Sequence, residues 1–307
     1  MIDERIIREI SALGDVKIDE PMNRHTTFRA GGPADILFTP YDPACLGEVR
    51  ALARNRDIPF TVIGGGSNLL VSDTGVRGIV ARVYDGANFK DGIRMEDDSD
   101  CLLFADARID KKEFIDFALA RSLEGMEFMA GLPGCIGGGI AMNAGTGMGW
   151  FSDILVRVRY VDGNDEIVER DITSEMVHYR DLAVEPDAIF LGGRFRLRRA
   201  ADPEEVRARI ADIIRDRGEK HPLEFPSAGS VFKNPGGHSS WKLVNDAGLR
   251  GFRIGGAMVS EKHTNFIVNA GGATAADIAR LIRHVQWIVN EQFGVALEPE
   301  VRMLGEF

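Results

Sequence analysis

Two short segments combine closely spaced glycines with small side chains, a composition typical of loops that hold phosphate groups. One covers residues 64–68 (GGGSN) and the other residues 131–138 (GLPGCIGG). Glycine lets backbone N–H groups approach a ligand closely and adopt positive φ, and convergent N–H groups suit a pyrophosphate. Glycine is also in excess, with 35 in 307 residues, about 11% against about 7% in ordinary proteins. A single such cluster more often forms a tight turn, whereas several together favour a long phosphate-bearing ligand.

The familiar nucleotide-binding and hydrolase motifs are absent from the sequence. Residues 64–68 lack the third glycine and the following helical pattern of a Rossmann fingerprint, and neither GxxxxGK[ST] nor GxSxG occurs. The six histidines show neither HExxH spacing nor pairing with cysteine, so we expect no metal site. Any nucleotide binding must therefore use another fold.

Charge and length limit the class of protein. The 37 Lys and Arg against 47 Asp and Glu give a net charge of −10, which argues against nucleic-acid binding. No apolar run approaches the roughly 20 residues of a membrane span, and the start MIDERIIREI is too charged for a secretory signal. We therefore expect no membrane partner. Three cysteines outside any CxxC pair favour a reducing cytoplasm, and the length favours two or three lobes.

Hydrophobic periodicity predicts the elements that position these segments. Helical spacing occurs over residues 2–13, 43–56 and 110–122, between Asp202 and Gly218, and between Thr274 and Gly294. Strand patterns cover residues 61–73 around the glycine turn, 78–83, 154–161, 165–169 and 188–198. A domain boundary is expected near residues 199–202, where an Arg-rich strand end meets a new helix.

Longer motifs follow one another along most of the chain. They are NRHTTFRAGG (23–32), VIGGGSNLLVSD (62–73), GLPGCIGGGIAMNAG (131–145), HYR (178–180), PSAGSVFKNP (226–235), AGLRGFRIGGAMVSEKHTNFIVN (247–269) and LEPEVRMLG (297–305). In this order, over about residues 20–305, the chain resembles the UDP-N-acetylenolpyruvoylglucosamine reductase (MurB) family. The short link after Tyr179 and Arg180 resembles the more compact, type II branch of that family.

The resemblance implies an α+β fold in which a two-lobed, PCMH-type FAD-binding domain precedes a C-terminal α/β substrate-binding lobe. The implied segments are residues 1–85 for the first lobe, 86–200 for the second and 201–307 for the substrate domain. The resemblance also allows the final strand of the chain to pack with the first lobe.

The family activity that the resemblance implies is NADPH-dependent, FAD-mediated reduction of a UDP-sugar enolpyruvyl ether to UDP-N-acetylmuramate, a step of peptidoglycan synthesis. It also implies a monomer in the cytoplasm. The implied FAD-binding residues are Arg29, Gly64, Gly65, Gly66, Ser67, Asn68, Leu69, Pro133, Gly134, Cys135, Gly137, Gly138 and Asn143. For Cys135, a small buried filler is an equal alternative to a flavin contact.

Hydride addition to the terminal carbon of the enolpyruvyl group places negative charge on the adjacent carbon and its carboxylate, which requires a cation and an acid. By resemblance, Arg180 is the cation, Ser230 the proton donor and Glu300 the assisting carboxylate. Spacing alone does not separate Glu300 from Glu298 on the same strand face, whereas the motif favours Glu300. The implied substrate contacts are Tyr179, Lys233 and Asn234.

Two positions depart from the family pattern. The family often has a Ser in the segment after Arg180, where this chain has Asp181, and commonly a Glu where this chain has Trp150 and Phe151. Both departures concern local substrate or flavin contacts rather than the reaction.

Two other functions remain open at this stage. One is a flavin oxidase of a related FAD-binding fold, against which the motifs over residues 226–235 and 297–305 argue. The other is a catalytically silent sugar-nucleotide-binding protein, which would not require Arg180, Ser230 and Glu300 together.

Overall fold

Seven α-helices and twenty-one strands lie within residues 4–84 and 92–307, the part of the chain that the computed structural model describes. The helices are α1 (Glu4–Ile10), α2 (Leu46–Arg54), α3 (Lys111–Leu119), α4 (Ile136–Ala141), α5 (Pro203–Lys220), α6 (Ser240–Asp246) and α7 (Ala275–Phe293). The strands are β1 (Gly14–Pro21), β2 (Pro33–Pro40), β3 (Phe60–Ile63), β4 (Leu69–Val71), β5 (Val76–Arg82), β6 (Ile93–Asp97), β7 (Leu102–Asp106), β8 (Leu123–Glu124), β9 (Gly145–Thr146), β10 (Gly149–Trp150), β11 (Leu155–Val161), β12 (Ile167–Asp171), β13 (Val177–His178), β14 (Asp181–Leu182), β15 (Ile189–Arg196), β16 (Arg198–Arg199), β17 (Ser227–Ser230), β18 (Arg253–Ile254), β19 (Ala257–Val259), β20 (Phe266–Asn269) and β21 (Arg302–Leu304).

The chain divides into two units, each assembled from separate stretches of sequence. Unit 1 comprises the residues up to Lys17, Leu37–Gly65 and Gly78–Asp216, and unit 2 comprises Ile18–Ile36, Gly66–Arg77 and Arg217–Phe307. The mixture of helices and sheets confirms the predicted α+β class. The division into residues 1–85, 86–200 and 201–307 stays a prediction, and its first boundary falls at the edge of residues 85–91, outside the described residues.

Unit 1 contains a five-stranded antiparallel sheet in the order β12-β11-β15-β7-β6. Phe114, Phe151 and Phe195 are buried in its core. The Phe195 ring packs edge to face against both others, with its centroid 5.0 Å from that of Phe114 and 6.1 Å from that of Phe151. The residues after β7 hold the start of α4, because Gly137 N donates to Ala107 O at 2.9 Å. The core sheet therefore fixes the position of the glycine-rich segment before α4.

Unit 2 contains a four-stranded antiparallel sheet, β17-β20-β19-β18, and a parallel pair, β21-β4. The long helix α7 presents an apolar stripe to this core, in which Ile278, Leu281, Ile282, Val285 and Val289 are fully buried. β21 pairs with β4 in the register Arg302–Leu69 to Leu304–Val71. β21 therefore lies beside the strand that directly follows residues 66–68.

The predicted helices occur, with differences at their ends. α7 begins after Thr274 and ends at Gly294, which has φ 67°, as its cap signals predicted. α5 continues to Lys220, past Gly218, so the prediction that it ends before that glycine is wrong. A glycine inside a helix costs only about 1 kcal/mol relative to alanine, which the buried Val206 and Ile210 of α5 outweigh.

The N-terminus of α7 makes stability depend on pH through Asp277. Thr274 Oγ1 accepts a hydrogen bond from Asp277 N at 3.0 Å, and the Asp277 carboxylate accepts from Gly256 N at 3.2 Å and pairs with Arg280. Burial opposes ionisation of this carboxyl, but the backbone hydrogen bonds and the Arg280 ion pair outweigh it and lower the pKa of Asp277.

We expect Asp277→Asn to lower the free energy of unfolding at neutral pH by an amount that shrinks on acidification. A carboxyl with a lowered folded-state pKa stabilises fully above its unfolded pKa of about 3.9, and this stabilisation is lost as the pH falls through the folded value. Denaturant unfolding at neutral pH and near pH 3 measures the change. Asp212→Asn, an exposed acid of α5 paired with Arg215, is the matched control. A difference that stays constant with pH would contradict the assignment.

Candidate active site

The residues singled out in the sequence divide between the two units, and each group is described within its own unit. Unit 1 holds Gly64, Gly65, Pro133, Gly134, Cys135, Gly137, Gly138, Asn143, Tyr179 and Arg180. Unit 2 holds Arg29, Gly66, Ser67, Asn68, Leu69, Ser230, Lys233, Asn234, Glu298 and Glu300. The division of the chain falls inside the segment 64–68, between its second and third glycines.

The two glycine-rich segments meet in unit 1. Gly64 and Gly65 follow β3, and a Cβ atom on Gly64 would lie 2.9 Å from Cys135 Sγ. A Cβ atom on Gly65 would lie 3.2 Å from Gly134 Cα, and Gly134 itself has φ 90°. The structure thus brings together backbone segments that are far apart in sequence, in a space that side chains at 64 and 65 would fill. Cys135 is buried beside them.

Three residues that the sequence analysis missed border these loops. The Tyr84 ring would lie 3.3 Å from a Cβ atom on Gly65, and Tyr84 OH donates to Asp110 Oδ2 at 3.2 Å. Burial, and then the nearby Asp110 carboxylate, raise the pKa of Tyr84. Buried Lys111 donates from Nζ to Pro133 O at 2.7 Å. The only sequence signal here is the predicted start of a helix at residue 110, which does not indicate the loop it supports.

Asn143 connects the second glycine-rich segment to residues 178–180. Its side chain is buried, donating from Nδ2 to His178 O at 3.1 Å and accepting from Ser152 N at 3.0 Å. Arg180 has φ 63°, a conformation uncommon for residues other than glycine, and donates from Nη1 to Gly145 O at 2.9 Å. The structure therefore holds the Arg180 guanidinium in a defined position, while Tyr179 is 43% exposed.

Ser230, Glu300 and Asn68 are brought together in unit 2. Glu300 N donates to Val231 O at 2.7 Å, which holds the Glu300 backbone beside the residue that follows Ser230 and β17. On the other side, Asn68 Nδ2 donates to Glu300 O at 3.0 Å, and Asn68 O accepts from Arg302 N at 3.0 Å. The backbone of Glu300 is therefore held from both sides.

Lys233 distinguishes the two glutamates that the spacing left equivalent. Its Nζ lies 2.6 Å from Glu298 Oε1, and its backbone N donates to Glu298 O at 2.9 Å. The Glu298 carboxylate therefore pairs with Lys233, whereas the Glu300 backbone is hydrogen-bonded to Val231, just after β17. Asn234 Oδ1 accepts from Ser240 N at 3.0 Å, so that oxygen supports the start of α6.

Gly66 and Arg29 occupy positive-φ positions in unit 2. Gly66 has φ 68°, and a Cβ atom there would overlap the His25 carbonyl oxygen, so only glycine fits. Arg29 has φ 55° and is exposed between two buried residues, Phe28 and Ala30. Ser67 is half-buried, and Leu69 is buried at the start of β4.

Neither a metal-binding cluster nor a membrane-spanning helix occurs within residues 4–84 and 92–307. In that part of the chain, no cluster of three His, Cys, Asp or Glu side chains is arranged to hold a metal ion. Within the same residues, no helix has both the length and the apolar character needed to cross a membrane.

Family models match both parts of the chain. Residues 34–171 match the model described as an FAD binding domain. Residues 221–304 match the model of the C-terminal domain of UDP-N-acetylenolpyruvoylglucosamine reductase.

Full-length relatives and a solved structure are similar to the whole chain. UDP-N-acetylenolpyruvoylglucosamine reductase of Agathobacter rectalis is 43% identical over 297 residues, 94% of each chain. The enzyme of that name from Caldanaerobacter subterraneus is 39% identical over 302 residues, 98% of this chain and 97% of the relative. The crystal structure of UDP-N-acetylenolpyruvylglucosamine reductase (MurB) from Thermus caldophilus superposes with a TM-score of 0.76 at 31% identity, covering 95% of this chain and 99% of that one.

We expect Gly64→Ala to weaken FAD binding about tenfold, because its new Cβ must displace Cys135 Sγ and overpacking costs about 1–3 kcal/mol. Replacing that sulfur should relieve the strain. Gly64→Ala/Cys135→Ala should therefore bind FAD within about threefold of Cys135→Ala alone, a coupling typical of residues in contact. Titration of the apoprotein with FAD measures the affinities. If the double variant binds FAD as weakly as Gly64→Ala, or if Gly64→Ala binds FAD as tightly as wild type, the contact between Gly64 and Cys135 does not shape the loop.

Proposed function

The chain belongs to the UDP-N-acetylenolpyruvoylglucosamine reductase (MurB) family, and from that membership we propose how its own residues divide the reaction. It is an FAD-dependent oxidoreductase of peptidoglycan synthesis. NADPH, a proton and the enolpyruvyl ether of the UDP-sugar are converted to NADP⁺ and UDP-N-acetylmuramate. We further propose that the chain acts as a monomer in the cytoplasm.

The glycine loops suit FAD because their backbones turn tightly and carry no side chains. A Cβ atom on Gly64, Gly65 or Gly66 would meet protein atoms closely, so these positions need glycine, and the backbone N–H groups of such turns suit a pyrophosphate. When bound, FAD supplies the hydride chemistry, carrying a hydride from NADPH to the enolpyruvyl ether. We propose that Arg29, Ser67, Asn68, Leu69, Pro133, Gly134, Cys135, Gly137, Gly138 and Asn143 complete the binding residues. The side chain of Asn143 contributes by orienting its loop.

Arg180 is the proposed cation for the substrate carboxylate. Its guanidinium stays charged at physiological pH and grips a carboxylate with two parallel hydrogen bonds, which lysine does not. The hydrogen bond to Gly145 O fixes one edge of the guanidinium before substrate arrives, which lowers the ordering cost of stabilising developing charge.

Ser230 is the proposed proton donor and Glu300 its assisting carboxylate. A serine hydroxyl is a weak acid, so a neighbouring carboxyl group is needed to restore or share its proton. The observation that supports this pairing is the hydrogen bond from Glu300 N to Val231 O at 2.7 Å, which holds the Glu300 backbone beside the residue that follows Ser230. The proton goes to the carbon next to the carboxylate, and the hydride to the terminal carbon, so the substrate gains two hydrogens.

Lys233, Asn234 and Tyr179 are the proposed contacts to the UDP-sugar. Residues 215–262 hold eight Lys and Arg against five Asp and Glu, although the whole chain is acidic. A local positive charge attracts a polyanion such as a nucleotide sugar even when the total charge is negative. Lys233 forms an ion pair with Glu298 in the structure, so a substrate phosphate would compete with the Glu298 carboxylate for the Lys233 ammonium group.

Replacing Ser230 by Ala tests the proton donor. The purified Ser230→Ala variant should be yellow, as the wild-type protein should be. NADPH should bleach the flavin of the variant at a rate within about twofold of wild type, because no proton donor acts in that half-reaction. Recovery of absorbance on adding the enolpyruvyl UDP-sugar should slow by about 10²- to 10⁴-fold, the usual contribution of a general acid. Stopped-flow absorbance separates the two steps, with Ser227→Ala on the same strand as the matched control. Equal loss in both steps would mean that Ser230 is structural.

The paired variants Glu300→Gln and Glu298→Gln test which carboxylate acts. Glu300→Gln should lower kcat at least about 10²-fold with KM nearly unchanged, because it removes assistance in the transition state. Glu298→Gln should leave kcat within about twofold and change KM only, because it breaks an exposed ion pair with Lys233. Steady-state kinetics decide, and the opposite pattern would assign the role to Glu298.

A further inference from the structure

Trp150 lies beside the proposed cation of the active site. The Arg180 Cζ atom is 5.1 Å from the centroid of the Trp150 ring and 5.4 Å from that of Tyr179. The two rings touch edge to face, with centroids 5.6 Å apart. The guanidinium therefore packs against two aromatic rings that lie edge to face. One of them, Trp150, has no role in the proposed function.

The hairpin of β9 and β10 holds the Trp150 ring in this position. Trp150 pairs with Gly145, and a Cβ atom on Gly145 would lie 2.5 Å from the Trp150 ring, so glycine is needed beneath it. Trp150 N donates to Asp153 Oδ2 at 2.8 Å, and the next residue, Phe151, is buried in the core. The same Gly145 supplies the carbonyl that accepts from Arg180, so the ring and the hydrogen bond come from one rigid pair of strands.

A tryptophan ring suits a catalytic arginine better than a second polar group. The face of the ring attracts the cation, which favours one orientation of the guanidinium plane. Unlike a carboxylate, the ring carries no net charge, so it does not neutralise the guanidinium or compete with the substrate carboxylate for its N–H groups. The contact thereby orders the arginine without adding a competing anion.

We propose that Trp150 is a positioning residue that holds Arg180 for the charge that develops on the substrate. The proposal rests on the role proposed above for Arg180. It assigns Trp150 to the step in which the substrate accepts the hydride and not to the step in which NADPH supplies it.

The test compares Trp150→Leu, Trp150→Phe and the control Trp287→Leu, which removes a tryptophan exposed on α7 of unit 2. Stopped-flow absorbance gives separate rates for flavin reduction by NADPH and reoxidation by the enolpyruvyl UDP-sugar. Trp150→Leu should slow reoxidation about tenfold, the cost of one strong cation–π contact, and Trp150→Phe should lie between it and wild type. In both Trp150 variants, the rate of flavin reduction by NADPH and the affinity for FAD should stay within about twofold of wild type. In the Trp287→Leu control, the reoxidation rate should also stay within about twofold of wild type.

The double variant with Arg180→Ala separates positioning from general structural damage. If Trp150 acts through Arg180, Trp150→Leu should cost less than about twofold in reoxidation once the arginine is gone. The same tenfold cost in both backgrounds, equal slowing of reduction, or wild-type reoxidation by Trp150→Leu would each overturn the proposal. Wild-type reoxidation by Arg180→Ala would instead overturn the proposed role of Arg180 itself.

Discussion

The constraint on which unit 2 depends is the placement of residues 298–302 between two other backbone segments. Hydrogen bonds from Glu300 N to Val231 O and from Lys233 N to Glu298 O hold one side, and Asn68 holds the other. As a result, part of a glycine segment proposed for FAD and the residues proposed for proton transfer belong to one unit. The position of the Glu300 backbone is therefore coupled to Asn68, the residue immediately before β4.

The sequence predicted the local features of this fold well. The cap at Thr274 and the stop at Gly294 bound α7 as its periodicity indicated, because those signals act within a few residues. The resemblance to the reductase family is confirmed by the relatives and by the superposed structure. Motif order also named candidate catalytic residues, although their roles remain proposals, since motif matching carries no geometry.

The contacts that distinguish this site could not be predicted because they join residues distant in sequence. Spacing left Glu298 and Glu300 equivalent, and the ion pair between Glu298 and Lys233 is seen only in the structure. The packing of Gly64 against Cys135, and of Trp150 against Arg180, likewise depends on how loops from different strands meet. Sequence periodicity describes the faces of single elements, whereas such contacts are set by the packing between elements.

The division of the reaction into a hydride half and a proton half is the central claim, and deuterium oxide tests it most directly. In that solvent with unlabelled NADPH, we expect deuterium on the product carbon next to the carboxylate, because an exchangeable acid delivers the proton there. Flavin reoxidation by substrate should be slowed about twofold or more by the solvent isotope, whereas reduction by NADPH should be unaffected. Product without deuterium on that carbon, or an isotope effect confined to reduction, would contradict it.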